Sequence, residues 1–409
     1  MTTPPGGHLV TVVGVTADGV LHGAAEEHVR CADVLLGGRR HLDLVAPVPG
    51  QDRRPWPSPL LPGLPGLLDE LRGRRVVALA SGDPMVSGIG STLVRALGPD
   101  AVRVVPAVSS VALARARMRW SAEESAVVTV VGRHEARVLR EIAPGRRILV
   151  LTSGSQTPAI VGELLTETGH PDAVITLLAD LGSDAESSTT KAASEWAETP
   201  AEDVPPLHVL AIDVPVDTVP PSWSSWAAGL PDDAFENDGQ LTKRDLRASA
   251  LARLSPSPGQ HLWDVGAGAG SVGIEWMRAH PTCRTTAVEA DCERAARITR
   301  NAARLGVPDL RVVEGRAPDA LDGLDAPDAV FIGGGATRPG VLDACLAALR
   351  PGGRLVVHGV TLETESLLAH AYRTHGGELT RLAVETTHPV GTFTGWTPLR
   401  TVTQWSVRR

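Results

Sequence analysis

The sequence predicts two α/β domains in tandem, the second built on a doubly wound, mostly parallel sheet. Three observations predict this. Short apolar runs rich in Val, Leu and Ala alternate with segments of helical spacing along both halves. The stretch VPVDTVPPSWSSW (214–226) interrupts that alternation with prolines and serines, and a fresh series begins beyond it. A chain of 409 residues is also too long for one ordinary core. The division is read as a first domain over 1–215, a linker over 216–231 and a second domain over 232–409.

In order, LVTVVGV (9–15), RVVALA (75–80), VRVVPA (102–107) and AVVTVVG (126–132) read as strands. Helical spacing fills 22–32, 66–73 and 87–98 between them. Residues 47–65 hold seven prolines and read as an irregular surface loop. A further series follows: strand 147–154, helix 157–169, strand 173–182 and strand 207–214. The second half is more regular. Helix 242–253 leads to strand HLWDVG (261–266) and helix 271–279, then to strand 284–291 and helix 292–305. Strands 309–315 and 328–334, helix 339–349, strand RLVVHGV (354–360) and helix 363–375 complete the alternation. Segments 379–390 and 400–407 read as an antiparallel pair finishing the sheet.

Composition narrows the function classes. A net charge of −8 gives no footprint for nucleic acid or an anionic membrane. No apolar run approaches the roughly 20 residues of a membrane span. The start, MTTPPGGHLVTVVGV, lacks a basic flank and a small-residue cleavage site, so the expected location is the cytoplasm. Cys31, Cys283, Cys292 and Cys345 form no CxxC and no cluster with histidine, so reduced thiols and no metal site are expected.

The chemistry centres on WDVGAGAGSVG (263–273). From Gly268 it reads G-x-G-x-x-G, the dinucleotide pattern; from Asp264 it reads D-x-G-x-G-x-G, the first loop of many S-adenosylmethionine (SAM) methyltransferases. Both place a glycine turn between a strand and a helix N-terminus, where backbone N–H groups can approach a ligand. Asp264 and Gly266 end the strand before Gly268, so the turn begins early for a dinucleotide. A carboxylate there would oppose a pyrophosphate and suit the methionine ammonium of SAM. Glu289 closes the second strand, where it can accept ribose hydroxyls from either cofactor. Gly315, Arg316 and Ala317 follow the third strand, where an adenine edge would lie. The pattern favours SAM, and a nicotinamide-dependent reductase is the competing reading.

The segments DDAF, DGQ-x-TKR and LWDVGAG-x-GS-x-GIEW within 230–279 resemble the C-terminal domain of the bifunctional precorrin-6Y methyltransferases of cobalamin synthesis. VVGVTADG (12–19), ADVLLGGRRHL (32–42), ALASGDPMVSGIGSTL (78–93), VRVVPAVSSVALARARMRW (102–120) and VVGRH (130–134) are similar to the other part of that fusion, a tetrapyrrole methylase. The resemblance continues through LTSGSQTPAIVGELL (151–165) and KAASEWA (191–197). It implies a two-lobed tetrapyrrole methylase fold followed by a Rossmann-like class I methyltransferase. It also implies two SAM sites and a precorrin substrate methylated at carbons 5 and 15, with loss of the ring-C acetate carboxyl. A homo-oligomer is expected, because relatives of the C-terminal domain associate. The sequence departs from the methylase pattern at Thr16, where many relatives have glycine, and at Val86-Ser87, which replace an aromatic pair.

By resemblance, Thr242, Gly266, Ala267, Gly268, Ala269, Gly270, Glu289, Arg316 and Ala317 contact SAM in the second domain. Asp264 either caps the loop or faces the methionine amine. In the first domain, Gly82-Asp83 with Pro84 and Ser109-Ser110 resemble the two cofactor segments. Lys243, Arg244 and Arg247 stand at the start of a helix, where cations can meet acetate and propionate groups or simply face solvent. His358 lies at the carboxyl edge of the sheet, as a ligand-facing or a structural histidine. No residue is assigned to decarboxylation. Other readings are a methyltransferase for another tetrapyrrole or small molecule with one degenerate domain, and a non-catalytic tetrapyrrole carrier.

Overall fold

Parallel strands that are apolar on both faces need cover on both sides, and the two halves of the chain meet that demand separately. The computed structural model describes residues 9–21, 23–217 and 222–409. The N-terminal stretch 1–8, His22 of the expected first helix and linker positions 218–221 lie outside the described residues. Two compact units result: Met1–Glu135 with Gly145–Asp217, and Ala136–Pro144 with Thr218–Arg409.

In the first unit, β1 (Val10–Val15), α1 (Ala24–Cys31), β2 (Val34–Gly37), α2 (Arg39–Leu44), β3 (Asp52–Pro55), α3 (Leu60–Glu70), β4 (Val76–Ser81), α4 (Ile89–Leu97) and β5 (Val102–Val105) succeed one another. The five strands pair in parallel in the order β3-β2-β4-β1-β5. Val34, Leu35 and Leu36 are fully buried, as an apolar run inside a covered parallel sheet should be. A second sheet follows from α5 (Ser110–Met118), β6 (Ser125–Thr129), β7 (Arg147–Leu151), α6 (Thr157–Glu167), β8 (Val174–Ala179), β9 (Ser187–Ala192), α7 (Ala193–Ala197) and β10 (His208–Asp213). Its order is β6-β7-β10-β8-β9, parallel only at β6–β7.

The proline-rich stretch 47–65 is only in part the irregular loop expected from its composition: 47–51 and 56–59 are irregular. It contributes edge strand β3 and the first turns of α3. Proline is tolerated in both places: Pro55 ends an edge strand, and Pro62 sits in a first helical turn whose N–H groups have no intrahelical partner. Strand β2 and the β9–α7 pair are further elements that the reading by apolar runs did not single out. Val34–Gly37 is too short to show a period, and Ser187–Ala192 is polar throughout.

The second unit carries α8 (Arg244–Leu254), β11 (His261–Val265), α9 (Ser271–Ala279), β12 (Arg284–Glu289), α10 (Cys292–Arg304), β13 (Arg311–Glu314), β14 (Ala329–Ile332), α11 (Val341–Ala348), β15 (Arg354–Gly359) and α12 (Leu362–His375). Then come β16 (Glu378–Leu382), β17 (Glu385–Val390), β18 (Phe393–Pro398) and β19 (Val402–Arg408). The seven-stranded sheet runs β13-β12-β11-β14-β15-β19-β16, with β13 through β15 parallel and β19 antiparallel to both neighbours. Strand order reverses between β11 and β14, so a crevice opens at their carboxyl ends. Trp263, Val265, Val330, Ile332, Leu355, Val357 and Trp405 pack one core beneath it. Burying each such side chain contributes about 1.5–3 kcal/mol.

The tail departs in part from the expected pair. Residues 378–382 do join 402–408, but 385–390 leave the sheet and pair with 393–398 as a separate hairpin. The turn at Gly391-Thr392, with Gly391 at φ +62°, closes that hairpin locally. A single long apolar-to-polar run concealed this break.

Candidate active site

At the carboxyl end of β11 the chain must turn sharply into α9, and glycine makes that turn possible. Gly266 has φ +68°, and a Cβ there would stand 2.7 Å from the Gly334 carbonyl oxygen. The close approach draws the β11 and β14 loops together over the switch point. Gly268 donates its N–H to Glu289 Oε2 (2.8 Å), while Glu289 Oε1 accepts from Ala290 and Asp291. Three backbone donors hold this carboxylate at the end of β12, and its remaining lone pairs are open to a pair of hydroxyls.

A cavity of about 670 Å³ lies over this turn. Thr242, Gly266, Ala267, Gly268, Glu289, Arg316 and Ala317 line it, together with Lys243 and His358. Its size is in the range of sites that enclose a cofactor or a small substrate. Gly315 lines it too, so the structure brings together ten of the residues singled out from the sequence.

Several others are held elsewhere. Asp264 is 1% exposed and does not line the cavity: its Oδ2 accepts the N–H of Gly273 in α9 (2.9 Å), and Oδ1 has no hydrogen-bond partner. Burial pushes this carboxyl up to about 7 against the opposing pull of the Gly273 bond. Its geometry is that of a carboxyl bracing the turn from beneath, rather than one facing a methionine amine. Ala269 and Gly270 likewise sit under the turn, with Gly270 capping α9 and Ala269 buried.

The three cations at the start of α8 do not share a face toward the cavity. Arg247 is completely buried: Nε meets Glu275 Oε1 at 2.5 Å, and the guanidinium also donates to the Leu230 and Thr242 carbonyls. Glu275 accepts the Gly229 and Leu230 N–H groups as well, so the pair pins the chain leading into the site. Arg244 Nε donates to the Gly229 carbonyl (2.7 Å). Only Lys243 reaches the cavity, where it lies 3.4 Å from Asp232. Helical spacing could not separate these roles, because Lys243 is the N-cap and precedes the helical residues proper.

The cavity wall also contains residues that sequence reasoning missed. Phe331, Arg338 and Arg400 line it, from the β14 strand, the loop after it and the loop before β19. Arg338 approaches Asp319 (3.5 Å), an exposed and weak pairing. Neither the Arg400 nor the Arg316 side chain makes an ion pair or hydrogen bond among the described residues. A lone arginine in a polar tail carries no spacing signal, so only the tertiary structure reveals it. His358 is 8% exposed, lies edge-on to Phe331 (5.1 Å between ring centres), and is held neutral by burial at about 4.

In the first unit, the resemblance-derived residues gather at the carboxyl ends of β1, β4 and β5. Gly82 donates to the Val15 carbonyl (2.9 Å) and accepts from Ala107 N–H (3.1 Å). A Cβ at Gly14 would fall 1.9 Å from the Gly82 oxygen, so only glycine lets these strands converge. Asp83 Oδ1 accepts from Met85 N–H, and Ser109 caps α5 by accepting from Ala112 N–H, with Ser110 as the first helical residue. At the departures from the methylase pattern, the Thr16 hydroxyl contacts Asp18 and the Val20 carbonyl, and Val86 packs on the core around Trp120.

A family model described as a precorrin methyltransferase domain matches residues 233–409, and one described as tetrapyrrole (corrin/porphyrin) methylases matches 66–196. Over 404 residues the chain is 43% identical to the precorrin-6Y C(5,15)-methyltransferase [decarboxylating] of Mycobacterium tuberculosis, covering 98% of this chain and 100% of that one. The chain belongs to the precorrin-6Y C(5,15)-methyltransferase family. The Sinorhizobium sp. protein of that name is also 43% identical, over 402 residues, or 97% of this chain and 95% of its own. The cobalt-precorrin-6B C(15)-methyltransferase (decarboxylating) of Salmonella typhimurium is 37% identical over 132 residues, 32% of this chain and 68% of its own. Membership of this family makes the chain a SAM-dependent methyltransferase and sets aside the nicotinamide reading of GAGSVG. Among the described residues no group of three His, Cys, Asp or Glu is arranged to hold a metal ion. No helix among them is long and apolar enough to cross a membrane.

Proposed function

We propose that this chain methylates precorrin-6 at carbons 5 and 15 with SAM and removes the ring-C acetate carboxyl as carbon dioxide, in cobalamin biosynthesis. The observation that carries this reading is the likeness, at 43% identity, along the whole length of relatives named for that double activity. The first domain (1–215) takes carbon 5, and the second (232–409), beyond the 216–231 linker, takes carbon 15 and the decarboxylation. Supporting the division, the Salmonella relative is named for the C15 and decarboxylating steps and matches about a third of this chain. Two SAM molecules per chain follow, one over Gly266–Gly268 and one near Gly82-Asp83 and Ser109-Ser110. The protein is read as a cytoplasmic homo-oligomer without nucleic-acid or membrane partners. Supporting association, the β17–β18 hairpin exposes Phe393 (80%) and Trp396 (71%).

SAM supplies an electrophilic methyl group on a sulfonium that leaves readily. The chain's own task is therefore placement and exclusion of water rather than acid–base force. Supporting this, a side chain at Gly266 would close the cradle, and Glu289 has spare lone pairs that suit vicinal hydroxyls. Lys243, Arg316, Arg338 and Arg400 around the same cavity suit the carboxylate rim of a precorrin. Incubating the full chain with SAM and metal-free precorrin-6 substrate tests the reading. The expected product has gained two methyl groups and lost one carbon dioxide, and an unchanged substrate mass contradicts it.

A further inference from the structure

A substrate ringed with carboxylates poses a discrimination problem, because only one of them is to be lost. Cations hold carboxylates strongly and stabilise the charge, which slows loss of carbon dioxide. The cavity wall offers five cations, of which Arg294 is already paired with Asp238 (2.9 Å), and, two strands away from the β11 turn, one histidine. At roughly 4.8 Å per strand, His358 stands about 10 Å across the sheet from the glycine turn.

The tautomer of His358 follows from its neighbours. His358 on β15 faces Gln404 on β19 in direct register. On the far side of Gln404, Arg253 of α8 presents Nε and Nη1. A guanidinium can only donate, so the Gln404 amide oxygen must face it, at 2.9 and 3.2 Å. That leaves the amide nitrogen to donate to His358 Nε2 at 2.8 Å. An Nε2 that accepts carries no proton, so a neutral ring carries its proton on Nδ1. Arg253 is anchored in turn by Glu378 (2.8 Å) and Ser249 (3.1 Å). The relay Glu378–Arg253–Gln404–His358 thus fixes ring and proton together. No protein partner for Nδ1 is found among the described residues, and the ring lines the cavity beside Phe331, Val360 and Val402.

Resting on the function proposed above, we infer that His358 offers its Nδ1–H as a neutral donor to the ring-C acetate carboxylate, with Gln404 as the positioning residue that sets the tautomer. A dipole orients this carboxylate without neutralising it, while Lys243, Arg316, Arg338 and Arg400 retain the others. In the step itself, the bond between the acetate methylene and the carboxyl carbon breaks and carbon dioxide leaves. The bonding pair passes into the conjugated ring. A proton from water then converts the exocyclic methylene to methyl.

The test uses the full chain with 15N-labelled histidine, and the wild type compared with Gln404→Glu and His358→Phe. At pH 7 the nitrogen spectrum of His358 is expected to show protonated Nδ1 and bare Nε2; the opposite tautomer overturns the inference. In Gln404→Glu a carboxylate must accept from Nε2, so the tautomer reverses, and the ratio of decarboxylated to merely methylated product is expected to fall on the order of 100-fold. His358→Phe keeps the ring's bulk and should show the same fall in that ratio. An unchanged ratio in either variant overturns the inference. If the wild type transfers no methyl group to the precorrin, the proposed function fails instead, and the tautomer measurement still stands.

Discussion

The two units carry glycine turns at the ends of parallel strands, yet they assemble these candidate sites differently. In the second unit one contiguous stretch, 264–273, supplies the bracing acid, the turn and the helix start, and Glu289 on the next strand completes it. In the first unit the corresponding place is assembled from three loops, after β1, β4 and β5, locked where Gly14 meets Gly82. The lesson is one of contact range. A site made by one strand–turn–helix depends on local backbone geometry, whereas a site made by converging loops depends on the sheet holding its register.

The sharpest way to break this comparison is to add a side chain at each turn. Gly266→Val should abolish C15 methylation and leave C5 methylation intact, because the new Cβ falls against the Gly334 backbone rather than a flexible side chain. Gly14→Val should do the converse. Each variant should add one methyl group, and the carbon-13 spectrum of product made with labelled SAM distinguishes the two positions. Loss of both methylations in Gly266→Val would show that the units do not act separately.

The buried pair beneath the second site should give the next largest effect. Arg247→Ala leaves Glu275 buried without its cation and should destabilise the second unit by about 3–5 kcal/mol. Lys243→Ala, one turn earlier and half exposed, should cost no more than about 1 kcal/mol. Urea unfolding checks both, and equal losses would mean that Arg247 is not the pinning residue. Arg400→Gln should raise the KM for the precorrin about tenfold with an unchanged Tm, as expected for losing one charge-assisted hydrogen bond. A fall in kcat alone would move Arg400 from substrate binding to another role.

The smallest expected effect concerns Asp264. Because the carboxyl braces the turn from below, Asp264→Asn should change SAM affinity at the second site by less than about threefold, since the amide oxygen can still accept from Gly273. Its folded pKa of about 7 lies above the ordinary 3.8. The folded state therefore binds the extra proton between these values, and this group's contribution to stability is present below about pH 4 and lost as pH rises toward 7. The Asn variant should lack that decline in urea titrations between pH 4 and 7. An identical pH slope would contradict the burial account.

Much of this was legible in the sequence where the signal was local. WDVGAGAGSVG and the strand over 284–291 located the glycine turn and Glu289 because strand, turn and helix are adjacent in the chain. The strand series of the second unit was readable for the same reason. Roles decided by tertiary direction were not. Arg247 and Lys243 look alike in sequence, but one points into the core and the other into the cavity. Arg400 and Gln404 lie in or beside a segment legible as a strand, but what each side chain meets follows only from the placement of β19 beside β15. Residues 47–65 misled for a related reason: proline is compatible with a helix start and a sheet edge, so its abundance does not exclude either.

The most direct test of the account is a calorimetric titration of the full chain with SAM, alongside Gly266→Val. Two equivalents in the wild type and one in the variant are predicted, the lost site being the one over the β11 turn. A single equivalent that survives the substitution would contradict the claim that each unit holds its own methyl donor.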